Sequence, residues 1–145
     1  MSTEENKALV RRWFAEIDRG NIDAVDELLA ADYVDHNPAI PGLPSGREGV
    51  RRANRLLQAA FSDPVHTIEE QLAEGDKVMT HVTTRARFTG EFLGFPPTGE
   101  VIEIRGIAVH RVRDGKLVEH WAHADMLSFM QRIGAVTSTT DTPPG

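Results

Sequence analysis

The strongest constraint on the fold lies in residues 101–125, where the dipeptide Asp114-Gly115 separates two long runs rich in β-branched residues. Both positions of a two-residue hairpin turn of this type require a positive φ. Aspartate and glycine tolerate a positive φ, so Asp-Gly between such runs favours this turn. The arms are too long for a surface hairpin, so we predict a central β-hairpin over 101–125. A short apolar helix is predicted to follow over 126–133 and to end at Gly134.

Alternation of side chains along the two arms places small and apolar residues on one face of the hairpin, with two histidines among them. This face comprises Ile102, Ile104, Gly106, Ala108, His110 and Val112 on the first arm, and Val118, His120, Ala122 and Ala124 on the second. A two-residue turn places His110 roughly opposite Glu119, which makes His110 and His120 near neighbours. Small residues around a histidine pair leave volume above them, so this face can be the floor of a cavity.

Helical signals dominate the N-terminal part of the chain. Ser2 and Glu5 form a capping box, and apolar residues at helical spacing predict a helix over 3–18. Asn21 is predicted to cap a second, short helix. The segment 32–38 is then predicted to be extended, because it ends in a proline that disfavours the helical conformation before it.

A third helix is predicted after a loop that is rich in proline and glycine. Ser45 and Glu48 form a second capping box at its start. The dipeptide Asp63-Pro64 is predicted to end this helix, because proline in a helix interior lacks a backbone N–H and clashes with the preceding turn.

The segments 65–74 and 77–88 are predicted to be strands, separated by a Glu-Gly-Asp turn. Helices followed by antiparallel strands indicate an α+β fold, and a length of 145 residues favours one domain. We therefore predict a single domain over 1–135, in which helices cover one face of a strongly curved antiparallel sheet and leave a cone-like pocket. The segment 136–145 is rich in threonine and proline and is predicted to be a disordered tail.

Composition excludes several classes of function. The chain has no cysteine, which rules out disulfides, thiolate catalysis and cysteine-containing zinc sites. Its net charge of −6 argues against a nucleic-acid partner. No apolar run is long enough to span a membrane and no signal peptide is evident, so we expect a cytoplasmic protein with no membrane partner.

Three segments resemble the SnoaL-like polyketide cyclase family of the nuclear transport factor 2-like superfamily. They are Asp35-His36-Asn37-Pro38, the loop TGEFLGFPPTG over 89–99, and RVRDGKLVEHW over 111–121. The resemblance covers nearly everything up to Gly134. It implies a cone-like barrel, in which a curved antiparallel sheet packs on the N-terminal helices.

The resemblance also implies a reaction, the intramolecular aldol closure of an aromatic polyketide ester without metal or cofactor. The family's acid/base is an aspartate in the pocket, and its position falls on Ala122 in this chain. A second polar pocket position of the family falls near Ala108. Because alanine cannot transfer a proton, the resemblance is stronger evidence for the fold than for the reaction.

Two other enzyme types of this fold provide weaker matches. The steroid isomerases use a tyrosine, a base aspartate and a protonated aspartate, and these roles would fall on Trp13, Asn37 and Ala108, none of which can perform them. The epoxide hydrolases use an Asp-Arg-Asp set around a water molecule. Arg85 and Arg105 are available for such a set, but no aspartate on the inner face is evident.

The candidate catalytic residues are therefore His120 and His110, because an imidazole that titrates near neutral pH suits acid/base chemistry. Packing inside a polar-lined core is the alternative role for both. The candidate substrate-binding residues are His36, Asn37, Trp13, Phe88 and Arg85. No metal site is predicted, since nothing matches the regular spacing of metal ligands, and no cofactor is expected.

We thus expect cofactor-free acid/base chemistry on a small hydrophobic, polyketide-like molecule in an apolar pocket. A ligand-binding protein without catalysis, or an epoxide-hydrolase-like enzyme, is the alternative. The face of the hairpin opposite the histidines carries Ile107, Val109 and Trp121. An apolar sheet face is rarely left in water, so we predict a homodimer formed through the sheet.

Overall fold

The computed structural model describes residues 2–136. It contains four helices and five strands in this part of the chain: α1 (Thr3–Asp18), α2 (Ala24–Leu28), β1 (Leu29–Asp35), α3 (Gly46–Ala60), β2 (Phe61–Glu74), β3 (Lys77–Phe88), β4 (Val101–Arg113), β5 (Lys116–Ala124) and α4 (Met126–Ile133). The predicted disordered tail lies outside the described residues from position 137 onward. No helix of residues 2–136 is long and apolar enough to cross a membrane.

The five strands form one sheet in the order β1-β5-β4-β3-β2, with helices packed against it. This confirms the α+β class. The sheet is mixed, however, because β1 pairs with β5 in parallel while the other neighbours are antiparallel. The hairpin-connected strands must run antiparallel, whereas the long connection between β1 and β5 leaves their relative direction free.

The β4–β5 hairpin has the predicted two-residue turn, with positive φ at Asp114 (51°) and Gly115 (74°). Arg113 pairs with Lys116 across the turn, and a bulge after Arg111 then shifts the register. Consequently His110 lies directly opposite His120 rather than near Glu119. Directly opposite side chains share one face of a sheet and approach closely, so the bulge strengthens the predicted histidine pair.

The N-terminal half differs from the prediction at the ends of two helices. Helix α1 has the predicted bounds and capping box, but α2 begins after Asp23 rather than Asn21, and Ser45 makes no side-chain cap to α3. Helix α3 already ends at Ala60. Asp63 and Pro64 instead lie in a bulge of β2, where Asp63 has a φ of 53°. A proline inside a strand is tolerated at such a bulge, because β2 is an edge strand.

Two apolar clusters lie on the inner face of the sheet, the face that the helices cover. The first cluster packs α1 and α2 against the hairpin end of the sheet, and its largest members include Val10, Trp13, Phe14, Tyr33 and Leu117. The second cluster packs α4 and the loop after β3 against the other end, with Phe88, Phe92, Ile102, Phe129 and Ile133 among its members. The middle of the inner face lies between them.

The outer face of the sheet carries an apolar row that no helix covers. In the strand register this row runs through Leu72, Met79, Val109 and Trp121, with Ile107 beside it. Met79 is 43% exposed. A contiguous apolar patch of this kind is typical of a protein–protein interface, and the homodimer formed through the sheet stays a prediction.

We expect Met79→Asp to convert a homodimer into a monomer, because a carboxylate at the centre of the row would be buried without a partner. Light scattering after size exclusion would measure the mass. Leu127→Asp is the matched control, since Leu127 is 62% exposed on α4, away from the sheet. A wild-type protein that is monomeric at micromolar concentration would contradict the prediction.

Candidate functional site

The inner face of the sheet is partly open between the two apolar clusters. On β4, Ile102 and Ala108 are buried while Ile104 and Gly106 between them are partly exposed, and β3 repeats this pattern at Thr84. We call this region the floor; it comprises Thr84, Ile104, Gly106, Ala122 and the adjoining His120. Its side chains are mostly small, so a ligand that enters between the helices can lie directly on the sheet.

Gly106 allows β5 to approach the floor closely. A Cβ atom at this position would lie 2.9 Å from the carbonyl oxygen of His123 and 3.1 Å from the Cβ of Ala124. Such contacts would push the two strands apart. The glycine therefore permits the observed pairing of β4 with β5.

His120 forms the edge of the floor together with Asp35. The last residue of β1, Asp35, is the register partner of His120, and its Oδ1 lies 3.0 Å from Nδ1 of the imidazole. The same Oδ1 accepts a hydrogen bond from the backbone N–H of Asn37 at 2.9 Å. The carboxylate thus orients the ring, and when Nδ1–H donates to it, Nε2 carries the lone pair.

Nε2 of His120 makes no hydrogen bond within residues 2–136, and it is not among the buried unpartnered atoms of this part of the chain. It therefore reaches the accessible surface, although the side chain is only 19% exposed. A carboxylate-held imidazole with an accessible Nε2 is suited to accept or donate a proton.

His110 lies behind His120 in a different environment. Its ring centroid is 4.7 Å from that of His120 and 6.1 Å from that of Phe14, and the residue is 1% exposed. Within residues 2–136 neither of its ring nitrogens has a hydrogen-bond partner. Burial, with a smaller contribution from the charge of His120, holds the pKa of His110 well below its ordinary value. His110 is thus neutral, and a substrate on the floor has no direct access to it.

Asn37 is the one predicted substrate-binding residue that contacts the floor. Its Oδ1 accepts a hydrogen bond from the backbone N–H of Ala122 at 2.9 Å. His36, by contrast, lies on the outer face of the sheet. Its Nε2 is 2.9 Å from Oε2 of Glu119, and its ring stacks on Trp121 at 4.7 Å. The structure therefore separates His36 from the site, because adjacent residues of an extended segment point to opposite faces.

The three other predicted substrate-binding residues do not meet at the floor. Trp13 is buried in the first apolar cluster, and Phe88 is buried in the second. Arg85 is exposed on the outer face, where its Nε lies 3.5 Å from a carboxylate oxygen of Glu103. Its odd position on β3 explains the difference, since the inner face of that strand carries even-numbered residues.

Asp35 is the residue of the site that sequence reasoning missed. Asp35 directly precedes the two candidates His36 and Asn37 in the sequence, and this proximity was the one sign in the sequence that it could belong to the site. Strand pairing decides its role, because only the parallel register of β1 against β5 shows that Asp35 faces His120. Within residues 2–136 no group of three potential ligands is arranged to hold a metal ion.

Two surface cavities lie outside the middle of the floor, and the second of them borders the floor at Ile104. One of about 630 Å³ lies at the turns between strands, lined by Asn6, Gly75, Asp76, Val112, Asp114 and Gly115. The other, of about 400 Å³, is polar and is lined by residues that include Arg85, Arg105 and Arg132. Neither has the apolar lining that was predicted for the substrate pocket.

The buried, neutral His110 predicts a pH dependence of stability. As the pH falls below about 6.5, the unfolded chain gains a proton at this position that the folded chain does not, so the free energy of unfolding decreases. A His110→Leu variant lacks this loss. We expect the wild type to lose stability relative to the variant by on the order of 1 kcal/mol per pH unit below pH 6.5.

Urea unfolding between pH 8 and pH 5 would measure this difference. His123→Leu is the control, because His123 is exposed on the same strand as His120. Parallel pH profiles for the wild type and His110→Leu would contradict the prediction, because they would show that His110 takes up its proton equally in the folded and the unfolded chain.

Comparison with characterised proteins identifies relatives of this chain. The chain is 30% identical over 140 residues to aklanonic acid methyl ester cyclase DnrD of Streptomyces peucetius, and the alignment covers 92% of each protein. It is 25% identical over 116 residues to nogalonic acid methyl ester cyclase of Streptomyces nogalater, which covers 79% of this chain and 87% of the relative.

A solved structure has a similar fold. TsrD from Streptomyces laurentii superposes with a TM-score of 0.83 at 26% identity, covering 94% of this chain and 99% of TsrD. The family model for SnoaL-like polyketide cyclases matches residues 8–133, which include most of α1 and every later element through α4. The chain therefore belongs to the SnoaL-like polyketide cyclase family.

Proposed function

We propose that this protein is a cofactor-independent cyclase that closes a ring in a small hydrophobic, polyketide-like ester by acid/base chemistry, with His120 as the acid/base. The observation that carries the proposal is the pair formed by Asp35 and His120 at the edge of the floor. Both relatives reported above are methyl ester cyclases by name, which supports the reaction class.

The chemistry follows from the geometry of the pair. A carbon between two carbonyl groups carries an acidic hydrogen, and a neutral imidazole can remove it. Asp35 keeps the His120 ring in one orientation and stabilises the positive charge that forms on it. The resulting enolate carbon can then attack a second carbonyl group of the same molecule, which closes the ring.

His120 can replace the acid that Ala122 cannot supply. The two residues are two positions apart on β5, so their side chains lie on the same face of the sheet and next to each other along the strand. A substrate held over Ala122 is therefore within reach of the His120 ring. Asn37 contributes by holding the backbone of Ala122, which places β1 and the floor in a defined position.

His110 has a supporting role in this proposal. It is too deeply buried to meet the substrate, and its neutral ring packs against that of His120. Two adjacent imidazoles disfavour the doubly charged state, so a neutral His110 leaves His120 free to take up a proton during the reaction.

A ligand-binding protein without catalysis is the second candidate. The alanines at the two polar pocket positions of the family, Ala122 and Ala108, favour it. The two candidates differ in one measurable respect, because a binding protein would be stabilised by the ligand without converting it.

We expect His120→Gln to lower the cyclisation rate by about 10²- to 10⁴-fold, the usual contribution of a general acid/base. Asp35→Asn should lower it by at least about tenfold, because the ring loses its orientation. The measurement is a cyclisation assay with a panel of aromatic, polyketide-like β-keto methyl esters, preceded by a thermal-shift screen.

His123→Gln is the matched control for these variants. It removes an imidazole from the same strand, but from the opposite face, where the side chain is exposed. Ligand-induced stabilisation of the wild type without product formation would favour the binding protein. Full activity of both His120→Gln and Asp35→Asn would exclude the proposed site.

A further inference from the structure

A second histidine–carboxylate pair lies at the opposite side of the inner face from Asp35 and His120. Its members are Asp18, the last residue of α1, and His66 on β2. Asp18 accepts a hydrogen bond from the backbone N–H of His66 through Oδ2 at 2.9 Å, and its Oδ1 contacts Nδ1 of the ring at 2.5 Å. The two pairs are thus alike in chemistry, because each holds an imidazole through Nδ1.

His66 faces the floor. Its register partner on β3 is Thr84, and Thr84 pairs in turn with Ile104, so the three residues form one row across the inner face. Thr84 and Ile104 belong to the floor defined above. His66 therefore lies at one end of the floor and His120 at the other.

The two imidazoles are also linked by a row of rings. The centroid of His66 lies 5.2 Å from that of Phe14, which is 6.1 Å from that of His110. His110 is in turn 4.7 Å from His120. Phe14 and His110 thus form an apolar, neutral partition between the two pairs, which keeps their charges apart.

Nε2 of His66 is available to a ligand. Like that of His120, it has no hydrogen-bond partner within residues 2–136. The only ring nitrogens among the buried unpartnered atoms of this part of the chain are those of His110. Nε2 of His66 is therefore accessible, although its side chain is only 15% exposed.

We propose that His66, held by Asp18, is the second proton-transfer residue of the site and donates a proton to the carbonyl oxygen that is attacked during ring closure. This inference rests on the proposed function. It assigns the two halves of the proton transfer to different imidazoles, since a single group cannot remove a proton at one end of the substrate and donate one at the other in the same step.

In the proposed step, Nε2 of His120 takes the proton from the carbon between two carbonyl groups, and the electron pair of the broken C–H bond forms the new C–C bond. The π electrons of the attacked carbonyl move to its oxygen, which takes the Nε2 proton of a doubly protonated His66 ring. His120 thereby becomes the imidazolium and His66 becomes neutral. The product is an isomer of the substrate, and solvent returns one proton from His120 to His66.

Exchange of the substrate's acidic hydrogen with deuterium oxide separates the two roles. Exchange needs only the base, whereas ring closure needs both groups. We expect His66→Gln to lower kcat for ring closure by about 10- to 1000-fold with little change in KM, while His120-dependent exchange continues. Asp18→Asn should behave in the same way with a smaller loss.

His81→Gln is the matched control. His81 lies on the neighbouring strand β3 with its Nδ1 3.9 Å from a carboxylate oxygen of Glu70, but on the outer face of the sheet. It should leave both ring closure and exchange unchanged. Melting temperatures of all variants would show whether the loss of the Asp18 contact also destabilises the packing of β2. The rate of deuterium exchange, measured on the folded fraction, remains the deciding measurement.

Three outcomes would overturn the inference. Ring closure at the wild-type rate in His66→Gln would show that the pair only anchors β2 to α1. Parallel loss of exchange and ring closure in His66→Gln would show that His66 acts on the base and not on the carbonyl oxygen. A wild type that neither exchanges nor cyclises any ester of the panel would refute the proposed function, and this inference with it.

Discussion

The parallel pairing of β1 with β5 is the interaction on which the rest of the site depends. It places Asp35 beside His120, and a backbone hydrogen bond from His36 to the carbonyl of His120 at 2.9 Å continues the pairing beyond the strand. Without β1, His120 would lie on an open sheet edge and its ring would have no carboxylate to orient it. The order of strands in the sheet therefore brings Asp35 and His120 together.

Helix α1 covers one part of the inner face and leaves another part accessible, so histidines on that face differ in burial. Phe14 lies over His110 and removes it from water, whereas His120, directly opposite on the next strand, stays at the edge of the covered region. Two imidazoles on the same face thus differ in burial, and Phe14 of α1 contributes to that difference. The helix also ends in Asp18, which reaches His66 on β2. Packing and electrostatics of the site both depend on how this helix lies on the sheet.

The floor between the two histidine–carboxylate pairs carries small residues at Thr84, Gly106 and Ala122. In the resemblance to the cyclase family, the acid stands on the floor itself, at the position that Ala122 occupies here. This chain instead places its titratable groups at the two ends of the floor and leaves the middle free. Under the proposed function, a flat, hydrophobic molecule would lie on the sheet with its polar ends at Nε2 of His120 and of His66.

The sequence by itself determined the local structure of this protein. The capping box at Ser2, the turn at Asp114-Gly115, the bounds of α1 and β3 and the inner-face position of His110 and His120 all follow from interactions between residues close in sequence, or from the period of two along a strand. Such signals act within a few residues, and no distant element overrides them here. The order of helices and strands indicated the α+β class, and the family resemblance added the cone-like barrel, because it describes long-range packing that periodicity does not.

Only the tertiary structure decided which side chains meet. The bulge after Arg111 places His110 opposite His120, and the bulge at Asp63 lets a strand begin where a helix end was expected. The partners of the two accessible imidazoles, Asp35 and Asp18, lie 85 and 48 positions away from them in sequence. Contacts over such distances depend on strand order, register and helix packing, which local sequence patterns do not encode. For the same reason, the sequence could name histidines as candidates but could not choose between the buried His110 and the accessible His120.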